Sequence, residues 1–250
     1  MGKANRTKTI LITGAAGGIG QGLSKHMAAL GWQVGMVDVK AKVEEMAKEI
    51  AGAMSVVCDI RDSTQVAAAI EQIEMELGPI DALVNNAGIV ANIAPIAKMN
   101  DDRWANEVAV NLSAAFYFIR RLAPKMAQRG WGRIINVSSA AARSGLPAQI
   151  GYATTKSALW GVTSTTAAEF GSKGVTCNSI LPGIIATPTV LSMPAHIQAG
   201  AKQSNVLGRF GAVEEIAYLV AFLCSEEAGF ITGAEIDIDG GYRLNTTSLT

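Results

Sequence analysis

The feature that most constrains the fold of this chain is a regular alternation of short apolar segments with longer segments of helical periodicity. The short segments are rich in aliphatic and β-branched residues, and most lack the polar alternation of a half-exposed strand. Strands that are covered on both faces and separated by helices form a doubly wound parallel sheet. The segments predicted to be strands are Thr9–Thr13, Gln33–Asp38, Ala53–Asp59, Ile80–Asn85, Gly132–Ser139, Gly174–Ile180 and Ala234–Asp239.

The segment Ser63–Leu77 shows what lies between these strands. Its apolar residues Val66, Ile70 and Ile73 recur at helical spacing, and Gly78 with the following proline ends the pattern. A Ser or Thr at its start is predicted to cap the helix. No linker, repeat or low-complexity stretch interrupts the alternation, so residues 1–250 are predicted to form a single α/β domain.

The composition excludes several classes of protein. With 49% hydrophobic and 17% charged residues, the chain has enough apolar material for a buried core. The 21 basic and 21 acidic residues balance and form no long basic run, so neither nucleic acid nor an anionic membrane surface is expected as a partner. The amino-terminal stretch reaches glycines too soon for a signal peptide, and prolines break the longest uncharged run, so no membrane span is expected.

The cysteines and histidines narrow the chemistry further. Cys58, Cys177 and Cys224 are odd in number and form no CxxC pair, which indicates buried thiols of a cytoplasmic protein instead of a disulfide framework. His26 and His196 stand apart, and the sequence contains no HExxH motif and no Cys/His cluster. No metal site is therefore predicted.

The first predicted strand runs directly into the glycine-rich segment Thr13–Gly20, TGAAGGIG, and a helix is predicted from there through Leu30. Glycines at such a turn let the backbone approach a pyrophosphate, and the helix amino terminus offers unpaired N–H groups. Gly14, Gly18 and Gly20 have the spacing GxxxGxG, which differs from the commonest dinucleotide fingerprint. Taken alone, the motif fits an ordinary tight turn as well.

An acidic residue at the end of the second strand supports the dinucleotide interpretation. Asp38 follows Gly20 by 18 residues, near the position where an acid binds the adenosine ribose hydroxyls. Its carboxylate would repel a 2′-phosphate, the segment Ala15–Gly20 contains no Arg or Lys, and Lys40 is the only nearby cation, so NAD is predicted over NADP. A plain turn role for Asp38 is the alternative. Asp59 is predicted to bond the adenine amino group, or else to serve a cap or turn.

The stretch GYATTKSAL contains Tyr152 and Lys156, which share one face of a predicted helix because they are four residues apart. Such a pair also arises by chance, so it does not establish a catalytic site alone. A free phenol has a pKa near 10 and is protonated at neutral pH. A neighbouring ammonium favours the phenolate and lowers that pKa, which suits a general acid–base.

At this point the chain resembles the classical short-chain dehydrogenase/reductase family over roughly Lys8–Tyr242. The resemblance rests on an ordered set of motifs: TGAAGGIG, NNAG at 85–88, NL at Asn111, VSS ending at Ser139, YATTK at 152–156, PGIIAT at 182–187 and ITGAEIDIDGG at 231–241. It implies a Rossmann-type seven-stranded parallel sheet with helices on both faces and a homotetramer. Residues of about 8–140 would form the dinucleotide-binding half, and residues of about 139–242 the catalytic and substrate-lid part.

The family assigns the acid–base role to Tyr152 and Lys156, and Lys156 also holds the nicotinamide ribose. By the same resemblance Ser139 bonds the substrate oxygen, and Asn111 holds a water that relays protons to Lys156. Ser138 is the rival for the serine role. A buried amide that satisfies a helix kink is the alternative for Asn111.

The resemblance also implies a set of cofactor-binding residues. They are Gly14, Gly17, Gly18, Ile19, Gly20, Asp38, Asp59, Ile60, Asn86, Ala87, Gly88, Tyr152, Lys156, Pro182, Gly183, Ile185 and Thr187. Asn85 and Asn86 either lie near the cofactor or tie strands together. Gly88 lets the cofactor pass close to the backbone, and Thr187 faces the nicotinamide amide.

The substrate side is predicted more broadly. Candidate substrate-binding residues are Ser139, Tyr152, Ile93, Ala141, Gln149, Ile184 and Met193, and Arg143 is the charged exception among the expected wall residues. The family's lid would be Thr189–Gln203, whose apolar Val190, Leu191, Met193 and Ile197 either cover a substrate or, for at least half, pack on the helix beneath. This suits a neutral, moderately apolar secondary alcohol or ketone, either an aliphatic ring or an aryl-alkyl compound.

The sequence thus predicts an NAD-dependent alcohol dehydrogenase or ketone reductase. The sibling hypothesis is a 3-oxoacyl-thioester reductase, which commonly prefers NADP and needs a basic rim for a carrier protein, with Arg129 and Lys173 as candidates or as solvated helix-end residues. A non-catalytic NAD-sensing protein is a remote alternative. Enoyl reductases of the superfamily place their Tyr and Lys further apart than Tyr152 and Lys156, and no GxSxG or GK[ST] motif supports a hydrolase or kinase.

Overall fold

The computed structural model describes residues 6–91 and 93–244. Over these residues the chain forms a seven-stranded parallel sheet in the order β3-β2-β1-β4-β5-β6-β7. The strands are β1 Thr9–Thr13, β2 Gln33–Asp38, β3 Ala53–Val57, β4 Ile80–Asn85, β5 Gly132–Val137, β6 Val175–Pro182 and β7 Glu235–Ile238. The strand order reverses between β1 and β4, and in such sheets ligands bind outside the carboxyl ends of the strands at that point.

Helices cover both faces of the sheet. They are α1 Gly18–Ala29, α2 Lys42–Lys48, α3 Ser63–Leu77, α4 Asp101–Val108, α5 Ala114–Arg129, α6 Ala141–Ser144, α7 Ile150–Phe170, α8 Pro188–Leu191, α9 Ala195–Gln203 and α10 Val213–Leu223. A π-helical segment, Ala109–Ser113, joins α4 to α5, and 3₁₀ turns lie at Ile96–Lys98 and Gly171–Lys173. The predicted doubly wound, Rossmann-type α/β fold is confirmed.

The inner strands of the sheet contribute to two cores because successive side chains point to opposite faces. In β1, Ile10 and Ile12 pack with α1, α2 and α10, whereas Leu11 packs with α3 and α5. All three side chains are fully buried, and burial of one such side chain contributes about 1.5–3 kcal/mol. The polar residues of the predicted site lie at or just after the carboxyl ends of the strands. They therefore meet at the carboxyl edge of the sheet.

Two kinds of local expectation, a helix cap and the ends of strands, differ from the structure. Asp62, and not a Ser or Thr, caps α3, because its carboxylate accepts hydrogen bonds from the backbone N–H of Thr64 at 2.7 Å and of Gln65 at 3.4 Å. Strands β3 and β5 end at Val57 and Val137, two residues earlier than predicted, so Asp59 and Ser139 lie in loops. The π-helical segment also separates α4 from α5, so the two do not form one regular α-helix.

Within the described ranges, no helix is both long and apolar enough to span a membrane. Over the same residues, no three His, Cys, Asp or Glu side chains are grouped so that they could hold a metal ion.

Candidate active site

Two adjoining cavities open at the carboxyl edge of the sheet. The glycine-loop cleft, of about 460 Å³, lies beside the turn between β1 and α1. Of the residues predicted to bind the cofactor, it is lined by Gly14, Gly17, Gly18, Ile19, Gly20, Asp38, Asp59, Ile60, Asn86, Ala87, Gly88 and Thr187. The Tyr152 cavity, of about 280 Å³, is lined by the remaining ones, Tyr152, Lys156, Pro182, Gly183 and Ile185. The two cavities share Ile19, Gly88 and Thr187, so they form one continuous groove.

Packing explains why the turn after β1 is built from glycine. Gly14 has a φ of +65°, and a Cβ there would lie 2.8 Å from the Cα of Ala87. A Cβ at Gly18 would lie 2.9 Å from the side chain of Thr187. No side chain caps the amino terminus of α1 at Gly17, so the helix presents its first N–H groups to the cleft.

Asp38 fixes one end of the glycine-loop cleft. One carboxylate oxygen accepts a hydrogen bond from the backbone N–H of Ala16 at 2.9 Å, and the other accepts one from Lys40 at 3.0 Å. The residue is 9% exposed. A carboxylate is therefore held at the end of β2, where it borders the cleft and anchors the glycine turn to the strand.

Asp59 belongs to a turn that also contains Arg61. The Asp59 carboxylate accepts from the backbone N–H and from Nε of Arg61 and forms an ion pair with that guanidinium at 2.6 Å, and this pairing lowers the pKa of Asp59. Arg61 also donates to the side-chain oxygen of Asn106 at 2.8 Å and lines the cleft. The expectation that Lys40 is the only nearby cation was therefore wrong. A cation two residues after a strand-end acid is a signal that the sequence contained.

In the Tyr152 cavity, the predicted acid–base pair shares one wall with Ser139. The buried Lys156 ammonium donates to the carbonyl oxygen of Val137 at 2.8 Å and lies 5.8 Å from the centre of the Tyr152 ring. A Cβ at Gly88 would lie 3.0 Å from the Lys156 nitrogen, so a larger residue there would press against the ammonium.

Burial controls the protonation of this pair. It lowers the pKa of Lys156 from 10.5 to about 8, because the ammonium is removed from water. Burial also raises the pKa of Tyr152, and a hydrogen bond with Ser139 opposes this only in part. The expected lowering of the Tyr152 pKa by Lys156 is therefore not seen in the chain alone, since the ammonium is directed toward Val137 instead of the phenol oxygen.

The two adjacent serines have different contacts. The hydroxyl of Ser138 donates to the backbone carbonyl of Lys156 at 2.8 Å and so ties β5 to α7. The hydroxyl of Ser139 accepts from the backbone N–H of Ala141 at 3.1 Å. Both border the cavity, but the Ser138 hydroxyl hydrogen is committed to the backbone, which leaves Ser139 as the better donor toward a ligand.

Asn111 lies in the π-helical segment, a type of distortion that is frequent at functional sites. Its side-chain oxygen accepts from the backbone N–H of Ile89 at 2.8 Å, and its nitrogen donates to the carbonyl of Ile89 at 2.9 Å and to Thr155 at 3.2 Å. Asn111 therefore connects the helix, the segment after β4 and α7. The alternative predicted for Asn111, a buried amide whose hydrogen bonds are satisfied at a helix irregularity, fits these same contacts.

The two asparagines at the end of β4 have separate roles, Asn85 as its last residue and Asn86 as the residue that follows it. The Asn85 side chain donates to Asn136 at 2.8 Å and ties β4 to β5. The Asn86 side chain donates to the carbonyl of Thr13 at 2.8 Å and borders both cavities.

Among the other candidate substrate residues, only Ile184 lines the Tyr152 cavity. Ile93 and Met193 are 71% and 40% exposed, Gln149 precedes the first turn of α7, and Ala141 is buried at the start of α6. None of these four borders the cavity in this structure.

Arg143 is not part of the substrate wall, contrary to expectation. Its guanidinium pairs with Glu235 at 3.1 Å and with Asp237 at 3.5 Å on the edge strand β7. The side chain is therefore drawn away from the cavity by two carboxylates that are distant in sequence.

The predicted lid consists of α8, α9 and the turn between them. Val190 borders the Tyr152 cavity, whereas Leu191, Met193 and Ile197 are 54%, 40% and 48% exposed. Only Val190 of these apolar side chains therefore borders the cavity, and the other three are half exposed.

Comparison with known proteins places this geometry in context. Residues 14–243 match a family model described as enoyl-(acyl carrier protein) reductase. The chain is 38% identical over 241 residues to nodulation protein G of Azospirillum brasilense, with 94% of this chain and 97% of that protein covered. It is 36% identical over 239 residues to the 3-oxoacyl-[acyl-carrier-protein] reductase of Thermotoga maritima, with 94% and 97% covered.

Two further similarities bear on the chemistry. The D-threitol dehydrogenase of Mycolicibacterium smegmatis is 34% identical over 248 residues, with 95% of this chain and 93% of that protein covered. The crystal structure of a 3-oxoacyl-[acyl-carrier protein] reductase from Brucella melitensis superposes with a TM-score of 0.90 at 33% identity, with 96% of this chain and 92% of that chain covered.

Proposed function

Since the chain belongs to the classical short-chain dehydrogenase/reductase family, whose members are oxidoreductases that use nicotinamide cofactors, we propose that it interconverts a secondary alcohol and its ketone with NAD. The substrate is small to medium in size and mostly apolar, either an aliphatic ring or an aryl-alkyl compound.

The groove fits a dinucleotide. It is long and continuous, the uncapped amino terminus of α1 lies along it, and it runs from Asp38 to Lys156. The α1 terminus would hold the pyrophosphate, Asp38 the adenosine ribose, and Lys156 the nicotinamide ribose. The nicotinamide, when bound, gives or takes the hydride.

The choice of NAD rests on charge at the Asp38 end. A carboxylate held by the backbone N–H groups of Ala16 and Lys40 repels a 2′-phosphate. Arg61 is a cation and would favour the 2′-phosphate of NADP, but its guanidinium is neutralised by Asp59. NAD is therefore the preferred cofactor.

The protein supplies the proton. In ketone reduction the Tyr152 phenol donates its proton to the oxygen that becomes the alcohol, and in alcohol oxidation the phenolate takes that proton back. Ser139 donates a second hydrogen bond to the same oxygen. Two such donors stabilise the charge that develops on oxygen, so the reaction needs no Lewis acid.

The lining of the Tyr152 cavity carries the substrate proposal. Its walls are largely aliphatic, with Ile89, Val90, Ile184 and Val190 facing the space. Of the described residues that line it, Lys156 alone has a charged side chain. A cavity of about 280 Å³ with such walls suits a neutral, compact carbonyl compound.

A 3-oxoacyl-thioester reductase is the second candidate, because the relatives from T. maritima and B. melitensis are named as such reductases. The two residues predicted to form the basic rim that this function needs do not lie beside the Tyr152 cavity. Arg129 donates to the carbonyl of Ile80 and lies 3.8 Å from Asp81 at the amino end of β4, and Lys173 precedes β6. Both therefore lie at the opposite edge of the sheet, roughly 20 Å away by strand length.

A homotetramer in the cytoplasm completes the proposal. Phe116 on α5 and Trp160 on α7 are 46% and 44% exposed, which suits faces that pack against further copies. Light scattering at micromolar concentration tests this, and a monomer mass would contradict it.

The deciding experiment measures kcat/KM for an acetophenone, a cyclic ketone and a short 3-oxoacyl thioester, each with NADH and NADPH. We expect the ketones with NADH to give the highest values and a chelator to change nothing. A much higher value for the thioester with NADPH would replace this proposal with the second candidate.

A further inference from the structure

Glu107 is a buried carboxylate in an otherwise exposed or half-exposed helix. Among the eight described residues of α4, it alone is buried, with no measurable exposure. Removing a carboxylate from water costs several kcal/mol unless its contacts compensate. Those contacts therefore indicate what the residue is for.

The first contact is with the segment that follows β4. One Glu107 oxygen accepts a hydrogen bond from the backbone N–H of Ala91 at 2.6 Å. Four residues further along, Asn111 bonds both the N–H and the carbonyl of Ile89. Two side chains thus hold alternate residues of this segment, and Ile89 and Val90 within it form a wall of the Tyr152 cavity.

The second contact is with the helix that carries Tyr152. A Cβ on Gly151 would overlap the other Glu107 oxygen and would lie 3.4 Å from the Trp104 ring. Gly151 is in the first turn of α7, whose amino terminus has no side-chain cap, and a carboxylate next to such a terminus is favourable. The glycine lets α7 approach the carboxylate directly, one residue before Tyr152.

We propose that Glu107 is a positioning residue. It joins the Ile89–Ala91 wall to the first turn of α7, and so fixes the distance between the wall that orients the substrate and the Tyr152 phenol. It touches neither substrate nor cofactor. The inference rests on the proposed acid–base role of Tyr152.

Two substitutions separate the possible roles of Glu107. Glu107→Met keeps the length of the side chain but removes the acceptor for Ala91, whereas Glu107→Gln keeps an acceptor and removes the charge. We expect Glu107→Met to lower kcat/KM for the ketone by at least about tenfold, through both kcat and KM, because small misplacements of reacting groups are costly. Glu107→Gln should stay within about threefold of the parent, since it can still bind the Ala91 N–H.

Affinity for NADH, measured by fluorescence, should remain within about twofold in both variants, because neither residue 107 nor its partners line the phosphate turn. The matched control is Glu71→Met on the exposed face of α3, which should leave all constants unchanged. Gly151→Ala gives a second route if Glu107→Met does not fold. Its methyl group displaces the carboxylate, so the loss of kcat/KM should match that of Glu107→Met. The double variant should lose no more kcat/KM than either single variant.

The proposal is overturned if Glu107→Met retains both kcat and KM, which would show a packing role only, or if Glu107→Gln loses as much, which would show that charge and not the hydrogen bond matters. A Tyr152→Phe variant measured alongside keeps the two proposals apart. If that variant remains active, the proposed function fails; if it is inactive while Glu107→Met is normal, only the positioning role fails.

Discussion

In the glycine-loop cleft, the turn after β1 packs backbone against backbone, whereas the Tyr152 cavity is lined by aliphatic side chains that are partly exposed. In the cleft, a Cβ at Gly14 would collide with Ala87, and Asp38 is bonded to two backbone N–H groups. In the cavity wall, Val90 is 44% exposed, and Ile184 and Val190 are partly exposed. Where backbone packs against backbone, few residue types are tolerated, so the glycine motif in the sequence predicts the site. Where partly exposed apolar side chains line the cavity, many residue types are tolerated. No sequence motif therefore identifies the substrate.

The largest expected effect tests the cavity side of this comparison. Tyr152→Phe should lower kcat by about 10²–10⁴-fold, because the phenol supplies the transferred proton. NADH affinity, measured by fluorescence titration, should change little, since the ring that lines the groove is retained. Retention of more than roughly a tenth of kcat would show that Tyr152 is not the acid–base. If NADH binding were lost together with kcat, the substitution would have affected the cofactor cleft instead of the Tyr152 cavity.

The next effect tests the cleft side. Asp38→Ala combined with Ala16→Arg should shift the ratio of kcat/KM for NADPH and NADH by roughly 10–100-fold toward NADPH, equivalent to about 1.4–2.8 kcal/mol. Asp38→Asn is the matched control, because it keeps an acceptor for the Ala16 N–H while it removes the charge. It should relax the preference without reversing it. Equal use of NAD and NADP by the parent protein would remove the basis of this prediction.

Lys156 lies where cleft and cavity meet, and its burial has an effect on stability that can be measured without substrate. Its pKa in the folded chain is about 8 instead of 10.5, so between these values the unfolded chain binds more protons than the folded chain. Stability therefore rises with pH through that window, and the cost of burying the ammonium, about 3 kcal/mol by this difference, is fully present below pH 8.

Lys156→Met removes that cost and also the hydrogen bond to Val137, whose carbonyl then lacks a donor at about 1–3 kcal/mol. We expect the Tm of the variant relative to the parent to be highest at pH 7 and to fall as the pH rises toward 10, while activity is lost. A difference in Tm that is independent of pH, measured by calorimetry without cofactor, would contradict the lowered pKa.

The smallest effect concerns a residue that the sequence placed in the substrate wall. Arg143→Ala should leave kcat and KM for a ketone within about twofold of the parent, because its guanidinium pairs with Glu235 and Asp237 at a partly exposed site where such pairs contribute about 0–1 kcal/mol. A large rise in KM would mean that the side chain turns back into the cavity when substrate binds.

Much of the fold could be predicted from local pattern. Strands β1, β2 and β4 and helix α3 begin and end where the sequence predicts, since their apolar runs are bounded by glycine, proline or acidic residues. The pattern fails where a residue's role depends on a distant partner. Arg143 is directed by carboxylates on β7, and Glu107 is buried because Gly151 leaves room for it. Neither relation is visible in a window of one helix.

The residues of the candidate site also divide into those that the sequence pattern predicted and those that it did not. The glycine turn, Asp38, Asn86 and Tyr152 lie along one groove because strand ends and helix starts meet at one edge of a parallel sheet. The direction of the Tyr152 pKa was mispredicted because proximity along a helix does not determine where the Lys156 ammonium points. Arg61 was missed because it lies in a loop, outside the periodic patterns, although its position two residues after Asp59 was visible in the sequence.

The π-helical segment Ala109–Ser113 has a geometric consequence for any change of length in this region. A residue inserted into a regular α-helix rotates everything after it by about 100°. A π-helical turn takes up one extra residue locally, so α4 faces the segment after β4 while α5 buries Phe118 and Leu122. Deleting one residue within the segment would restore a regular turn and leave both faces directed at their partners, whereas a deletion elsewhere in α4 or α5 would rotate one face away from its partner.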